Sequence, residues 1–190
     1  MKWLLLLTTM LLSVEAYGVA FCALRDPVQQ IKTLYPNYVA YESEVRNIKA
    51  AQANARLSET GLPVFLHAKE IGKHTLFYIR GEQDLLGFVH VRSEPGDWGL
   101  VEIAWALNPQ GEIVDYTFQR CRGGYCAEAE SRVFRDYFKG LSTAGLSEFF
   151  NEAGEIVPPK AVLNQNLYQT MVLSAIKTLV LTDAFWQRND

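Results

Sequence analysis

The chain has 190 residues, a length typical of one domain, and 49% of them are hydrophobic while 21% are charged. This balance is typical of a folded globular protein with a sizeable core. The formal net charge of -3 supplies no basic field that would hold nucleic acid, so we do not expect a nucleic-acid partner.

The first twenty residues have the pattern of an export leader. One lysine precedes the apolar run Trp3–Leu12, and small residues follow, so that cleavage after Ala16 or Ala20 fits the pattern of a signal peptide. Two alternatives remain open, an uncleaved membrane anchor over Trp3–Leu24 and lipid attachment at Cys22. Each of the three predicts a periplasmic or other extracytoplasmic protein, in the last two cases tethered to the membrane.

Export permits disulfide bonds, and the chain has three cysteines, Cys22, Cys121 and Cys126. At most one internal bridge can form, so we expect Cys121 to pair either with Cys126 or with Cys22. A third interpretation is a reactive thiol, because Arg120 and Arg122 flank Cys121 and favour its thiolate. The loop Phe118–Cys126 is therefore a structural tie or the centre of a thiol/disulfide redox protein.

The first predicted element after the leader is a short amphipathic helix. Asp26 is a suitable N-cap, Pro27 suits the first helical position, and Gln29 is placed to complete a capping box. Apolar residues recur at helical spacing over Val28–Leu34, and Pro36 ends the helix.

The middle of the chain predicts strands. Tyr38–Ile48 is ambiguous between strand and helix, while Lys49–Leu57 is typical of a helix. Five short segments rich in β-branched and aromatic residues follow, separated by Gly- and Pro-containing turns. They are Val64–Ala68, His74–Arg80, Leu85–Arg92, Gly99–Asn108 and Glu112–Arg120. Such close spacing favours an antiparallel meander, because parallel strands need long crossover connections.

Alternation along two of these segments indicates which residues share a face of the sheet. The residues expected on one face are Val101, Ile103, Trp105 and Leu107. Those expected together on another face are Val114, Tyr116 and Phe118.

Helices return in the last third of the chain. The periodicity predicts them over Ala127–Phe138, Leu141–Phe150 and Gln165–Thr182. Strands grouped in the centre and helices at the ends predict an α+β fold, an antiparallel sheet packed with flanking helices on one face. We expect a single domain over residues 21–190.

Several local patterns along the chain are similar to those of one family. They are the Tyr35-Pro36 dipeptide, the strand Leu86–His90, the turn Asn108–Ile113, the loop Arg122–Gly124 and the stretch Phe138–Gly140. In this order they resemble the FMN-binding domain of periplasmic subunits of the Rnf and sodium-pumping NADH:quinone reductase complexes and of NosR-type proteins. The resemblance spans about Ile31–Leu181 and implies an FMN-binding-like fold.

The flavin attachment motif of that family is missing. The family carries Ser-Gly-Ala-Thr followed two residues later by Thr or Ser, whereas the corresponding stretch here is Val162–Thr170. Tyr168 lies where the acceptor hydroxyl would be, and Thr170 is the nearest alternative. We therefore do not expect covalently bound flavin.

A non-covalent flavin site is still compatible with the residues that the resemblance brings together. The free N–H groups at the start of the last helix favour a phosphate, arginines balance its charge, and aromatic rings stack on a flavin. The candidate cofactor-binding residues are Arg120, Arg122, Gly123, Gly124, Asn164 and Asn166, with Trp98, Trp105 and Tyr125 as candidate stacking partners. Asn164 has a simpler interpretation as a helix N-cap.

Nothing in the sequence predicts a metal site or a catalytic residue. The three histidines, His67, His74 and His90, lack metal-ligand spacing, and hydrolase, P-loop and zinc-protease motifs are missing. His90 alternates with Phe88 and Arg92, so one face of that strand is expected to be partly polar.

Together these observations predict an exported, non-catalytic accessory or structural subunit of a membrane-associated electron-transfer complex, without a cofactor. The alternatives are a periplasmic electron-transfer protein that binds FMN non-covalently, and a thiol/disulfide redox protein. The partner implied by the resemblance is a subunit of a membrane redox complex.

Overall fold

The structure is a computed structural model that describes residues 26–187. One antiparallel sheet forms its centre, built from β1 (Ala40–Ile48), β2 (Gly72–Arg80), β3 (Leu85–Gly96), β4 (Gly99–Leu107) and β5 (Ile113–Arg120). Each strand pairs with the next along the chain, so the strand order is β1-β2-β3-β4-β5. The predicted meander is confirmed, while the leader segment and Cys22 lie outside the described residues.

Within the part of the chain that the structure describes, five α-helices accompany the sheet. They are α1 (Val28–Leu34), α2 (Ala50–Ser58), α3 (Cys126–Ala129), α4 (Arg132–Asp136) and α5 (Gln165–Thr182). Two 3-10 turns, Ala68–Glu70 and Thr143–Phe149, and a π-helical turn, Asp183–Gln187, complete the described elements. The predicted bounds of α5 are confirmed, and the ambiguous segment Tyr38–Ile48 is the strand β1.

Three local predictions are wrong. Val64–Ala68 is not a strand, because its Leu66 N–H bonds the Asn54 side chain instead of a neighbouring strand. Ala127–Phe138 is not one helix, because Ser131 interrupts it and caps α4 with its hydroxyl. The helix α1 has Pro27 as its N-cap residue and no side-chain cap. Asp26 accepts a hydrogen bond from the Tyr41 hydroxyl (2.8 Å) instead of capping the helix.

The two faces of the sheet are covered unequally, and both carry helices. The larger core lies between the sheet and α5, where Val101, Ile103, Trp105 and Leu107 share one face as predicted. A smaller core on the opposite face packs Ile31 of α1 and its C-cap residue Tyr35 against residues of β2, β3 and β4. The expectation that helices cover only one face is therefore wrong, because the short α1 closes the second face.

A bulge in β5 changes the predicted face of one residue. Leu107 pairs with Ile113 and Ala106 with Asp115, so Val114 is the extra residue between them. Val114 consequently packs on the α1 side, while Tyr116 lies in the core beneath α5.

The Tyr-Pro dipeptide has a structural role on the α1 side. The buried hydroxyl of Tyr35 donates to the carbonyl oxygen of Leu107 (2.7 Å) and lies 3.3 Å from that of Phe88. Gly87 leaves room for this contact, because a Cβ built there would lie 2.1 Å from the Leu107 oxygen. Burial also raises the pKa of Tyr35 well above its usual value, so the hydroxyl remains protonated.

Within residues 26–187, no helix is both long enough and apolar enough to cross a membrane.

Candidate functional site

Three loops meet at one end of the sheet and enclose a small cleft, which we call the loop-end cleft. The first is the two-residue turn Asp97-Trp98, which joins β3 to β4 where Gly96 pairs with Gly99. The second is the loop that leads from β5 into α3, and the third is the segment that enters α5. Lining residues from the three include Trp98, Arg122, Tyr125, Asn164 and Asn166.

A disulfide holds the second loop. Cys121 and Cys126 are bonded, with their Cα atoms 5.9 Å apart, so Cys121 pairs within its own loop and not with Cys22. Gly123 has φ of 106° and lies against the Trp98 ring, where a Cβ would come within 2.9 Å of Cδ1. A glycine is required at this position for both reasons, and the tied loop supports one side of the Trp98 ring.

The start of α5 is tied to both other loops. The Asn164 side chain caps α5 by accepting from the N–H of Leu167 (2.8 Å), which confirms its simpler interpretation. Asn166 donates to Asp97 (3.3 Å) in the β3–β4 turn, and Glu128 of α3 accepts from the N–H of Leu163 (2.8 Å). These contacts hold the three loops at fixed positions relative to one another.

The cleft brings together four of the six predicted cofactor-binding residues. Arg122, Gly123, Asn164 and Asn166 all line it, whereas Gly124 is not among the lining residues. Arg120 also lies outside the cleft, because it ends β5 and pairs with Glu102, 3.7 Å away on β4.

Of the residues predicted to stack on a flavin or to accept one, some line the cleft and others are buried in the core. Trp98 and Tyr125 line the cleft, but Trp105 is fully buried in the core, where its indole N–H donates to Ser174 (3.0 Å). Tyr168 is also buried, and burial raises its pKa to about 12. Thr170 lines the cleft and donates to the carbonyl oxygen of Pro95 (3.3 Å).

The cleft is shallow and its rim is apolar. Its volume is about 30 Å³, which is room for only about two water molecules. Apolar side chains around it are instead directed to solvent: Trp98 is 70% exposed, Tyr125 is 47% exposed and Leu163, next to Asn164, is 77% exposed. A partner at this end would therefore lie over the rim and not inside a deep pocket.

A polar assembly is buried between the sheet and α5, and it was not predicted from the sequence. Lys177 of α5 bonds both oxygens of Glu70 (2.9 and 3.0 Å) and one oxygen of Glu94 (2.9 Å). Arg92 of β3 contacts the same two carboxylates, at 2.5 Å from Glu70 and 3.2 Å from Glu94. We call these four residues the ion cluster; each is at most 6% exposed.

The electrostatics of the ion cluster favour charged side chains despite burial. Burial alone raises the pKa of Glu70, but the charges of Arg92 and Lys177 outweigh it and hold the pKa below its usual value. Two carboxylates and two cations sum to zero charge, so the cluster is internally neutral.

Two histidines lie beside the ion cluster and are neutral. His74 donates from Nε2 to the carbonyl oxygen of Glu70 (2.7 Å), and burial lowers its pKa to about 4. His90 packs edge-to-face against it and bonds Thr182 (2.9 Å), and burial lowers its pKa well below the usual value. The predicted polar face of β3 is thus present, and it is wholly buried.

No group of three or more potential metal ligands occurs within residues 26–187. No family model matches the chain, and no curated protein is significantly similar to it. The fold and the loop-end cleft therefore define the protein only as an α+β domain with a five-stranded antiparallel meander and one exposed aromatic end.

Proposed function

We propose that the chain is a non-catalytic accessory module that docks on a protein partner through the loop-end cleft and its apolar rim. The observation that carries this proposal is the exposure of Trp98, Tyr125 and Leu163 on three loops that are fixed to one another. Exposed large apolar side chains that gather in one place are typical of interaction surfaces.

The composition of this end supports a protein partner. Trp, Tyr and Arg are the residues most enriched among those that dominate binding energy at protein interfaces, and the rim supplies Trp98, Tyr125 and Arg122. The loops are already ordered by a disulfide, a helix cap and side-chain bonds, which reduces the entropy lost on docking.

The ion cluster supports a catalytic role less well than the loop-end cleft supports docking. Its four charged groups bond one another, and all three donors of Lys177 are engaged with carboxylates. The resemblance to FMN-binding domains supports a partner within a membrane-associated electron-transfer complex, which the proposed module would serve in an extracytoplasmic compartment.

A test compares co-purification from the native host of the wild type, Trp98→Ala and Val45→Ala. Val45 is a matched control because it is also exposed (55%) but lies on β1, at the other edge of the sheet. We expect Trp98→Ala to weaken partner binding by at least about thirtyfold, as for a central interface tryptophan, while Val45→Ala binds as the wild type. Equal recovery of the partner with both variants would contradict the proposal.

A second candidate function is non-covalent FMN binding at the same end. It is favoured by the convergence of Arg122, Gly123, Asn164 and Asn166 beside two exposed aromatic rings. The absorbance spectrum of protein purified from its host, before and after acid precipitation, distinguishes the two. A flavin band released into the supernatant supports the flavoprotein, and protein that never shows the band supports the cofactor-free module.

A further inference from the structure

A separate groove opens onto the ion cluster, on the α5 side of the sheet. Its volume is about 330 Å³, which lies within the range of small-molecule sites. Its walls are mainly apolar and come from the segment before the first 3-10 turn, the end of β3, and α5. The wall residues include Pro63, Val64, Phe65, Pro95 and Leu173. We call it the Phe65 groove, after the side chain that is 68% exposed at its edge.

The floor of the groove is polar. Glu70, Glu94 and Lys177 line it, together with His67 and Thr170. The hydrogen bonds of these charged groups decide which ligand the floor can accept, because an ammonium has three donors and a carboxylate has about four acceptor positions.

The donors of Lys177 are fully used, whereas the acceptor positions of Glu94 are not. Lys177 spends its three donors on Glu70 and Glu94. Each oxygen of Glu70 accepts two bonds, one from Lys177 and a second from Arg92 or from the N–H of His67. Among the described residues, Glu94 accepts only one bond on each oxygen, from Arg92 and from Lys177.

We propose that the Phe65 groove is a binding site for a small apolar molecule that carries an N–H donor, which bonds the spare acceptor positions of Glu94. The apolar walls hold the body of the ligand. A carboxylate head group beside Glu94 gains no hydrogen bond from Lys177, because all three donors of Lys177 are already used. This site is independent of the docking proposed for the loop-end cleft.

The test uses three probes that share one hydrocarbon length and differ in the head group: hexylammonium, hexanoate and methyl hexanoate. Amide resonances of the full mature chain are followed by NMR during each titration, because they report both affinity and location. We expect saturable shifts at Val64, Phe65 and Leu173 with hexylammonium, because these residues line the groove and not the loop-end cleft. We expect binding at least about tenfold weaker with the other two probes, the usual effect of one charge-assisted hydrogen bond.

Two variants test the contributions of the apolar wall and of the polar floor to binding separately. Phe65→Ala removes an exposed side chain and leaves the ion cluster intact, so the fold is kept and hexylammonium binding should weaken severalfold. Glu94→Gln removes the charge of the acceptor and should reduce the preference for hexylammonium over methyl hexanoate. If Glu94→Gln fails to fold, the probe series and Phe65→Ala still test the proposal.

Three outcomes would overturn it. These are equal binding of hexylammonium and methyl hexanoate, stronger binding of hexanoate, or hexylammonium shifts that lie away from the groove and are unchanged in Phe65→Ala. Loss of partner docking in Trp98→Ala has no bearing on these results, so the two proposals fail separately.

Discussion

Replacing Lys177 by methionine tests the energetics of the ion cluster. The substitution keeps an unbranched side chain of similar length but removes three hydrogen bonds of 2.9–3.0 Å to Glu70 and Glu94. It also changes the charge of the buried cluster from zero to minus one. Removing one partner of a buried ion pair costs about 3–5 kcal/mol, because the opposite charge is left uncompensated.

Urea unfolding measured by tryptophan fluorescence provides the free energy of unfolding. We expect Lys177→Met to lower it by about 3–5 kcal/mol with an unchanged slope against urea. The loss should shrink at lower pH, because a carboxylate without its cation binds a proton more readily. Arg56→Met is the control: Arg56 and Glu59 form a pair 3.3 Å apart at the surface of α2, and such pairs contribute at most about 1 kcal/mol.

The reasoning would be refuted if Lys177→Met cost no more than Arg56→Met. Such a result would mean that the desolvation of Lys177 cancels its attraction to the two carboxylates, and that the cluster does not stabilise the fold.

Three further predictions concern other parts of the fold. The pKa of His74 is lowered to about 4 and that of His90 well below its usual value, so the unfolded chain takes up both protons first and stability is lost as pH falls below about 6.5. The free energy of unfolding in urea should fall by about 2 kcal/mol by about pH 5 from His74 alone, and by more with His90. Gly87→Ala should cost at least about 3 kcal/mol in the same assay, while Gly61→Ala, which meets open space at φ of 70°, costs about 1 kcal/mol. Replacing Cys121 and Cys126 by serine should cost about 2 kcal/mol, the chain entropy of a short loop.

Each of these has a contrary result. Midpoints that stay flat between about pH 7 and pH 5 would show that His74 is not buried neutral. Equal losses of stability in the two glycine variants would contradict the close approach of Gly87 to the Leu107 carbonyl. Free thiols at both Cys121 and Cys126 in native protein would show that the disulfide is labile, as expected of a thiol/disulfide redox protein.

Much of the fold could be predicted from local patterns. Alternation along β4, the Gly- and Pro-rich turns and the Asn164 cap each depend on neighbouring residues, and the structure has them as predicted. The wrong predictions concern segments whose structure depends on contacts with residues far away in the sequence. The segment Val64–Ala68 has the composition of a strand, but the sheet offers it no partner, and the bulge at Val114 becomes visible only through the pairing with β4.

The same distinction between local and distant contacts applies to the candidate site and the ion cluster. The loop-end residues could be predicted because Gly-Gly, paired cysteines and a helix cap are local features. The ion cluster could not be predicted, because Glu70, Glu94 and Lys177 are separated by long stretches of chain. Glutamate and lysine are also residue types that usually lie at the surface. The alternation of Phe88, His90 and Arg92 was the one local sign, and it did not reveal that the polar face is buried.

The most direct test of the proposed docking role is photocrosslinking in intact cells of the native host. A photoreactive phenylalanine analogue replaces Tyr125 on the rim of the loop-end cleft in one strain, and replaces Val45 on β1 in another. We predict one crosslinked product from position 125, containing a subunit of a membrane redox complex, and none from position 45. Absence of a product at position 125, or the same products from both positions, would contradict the docking role.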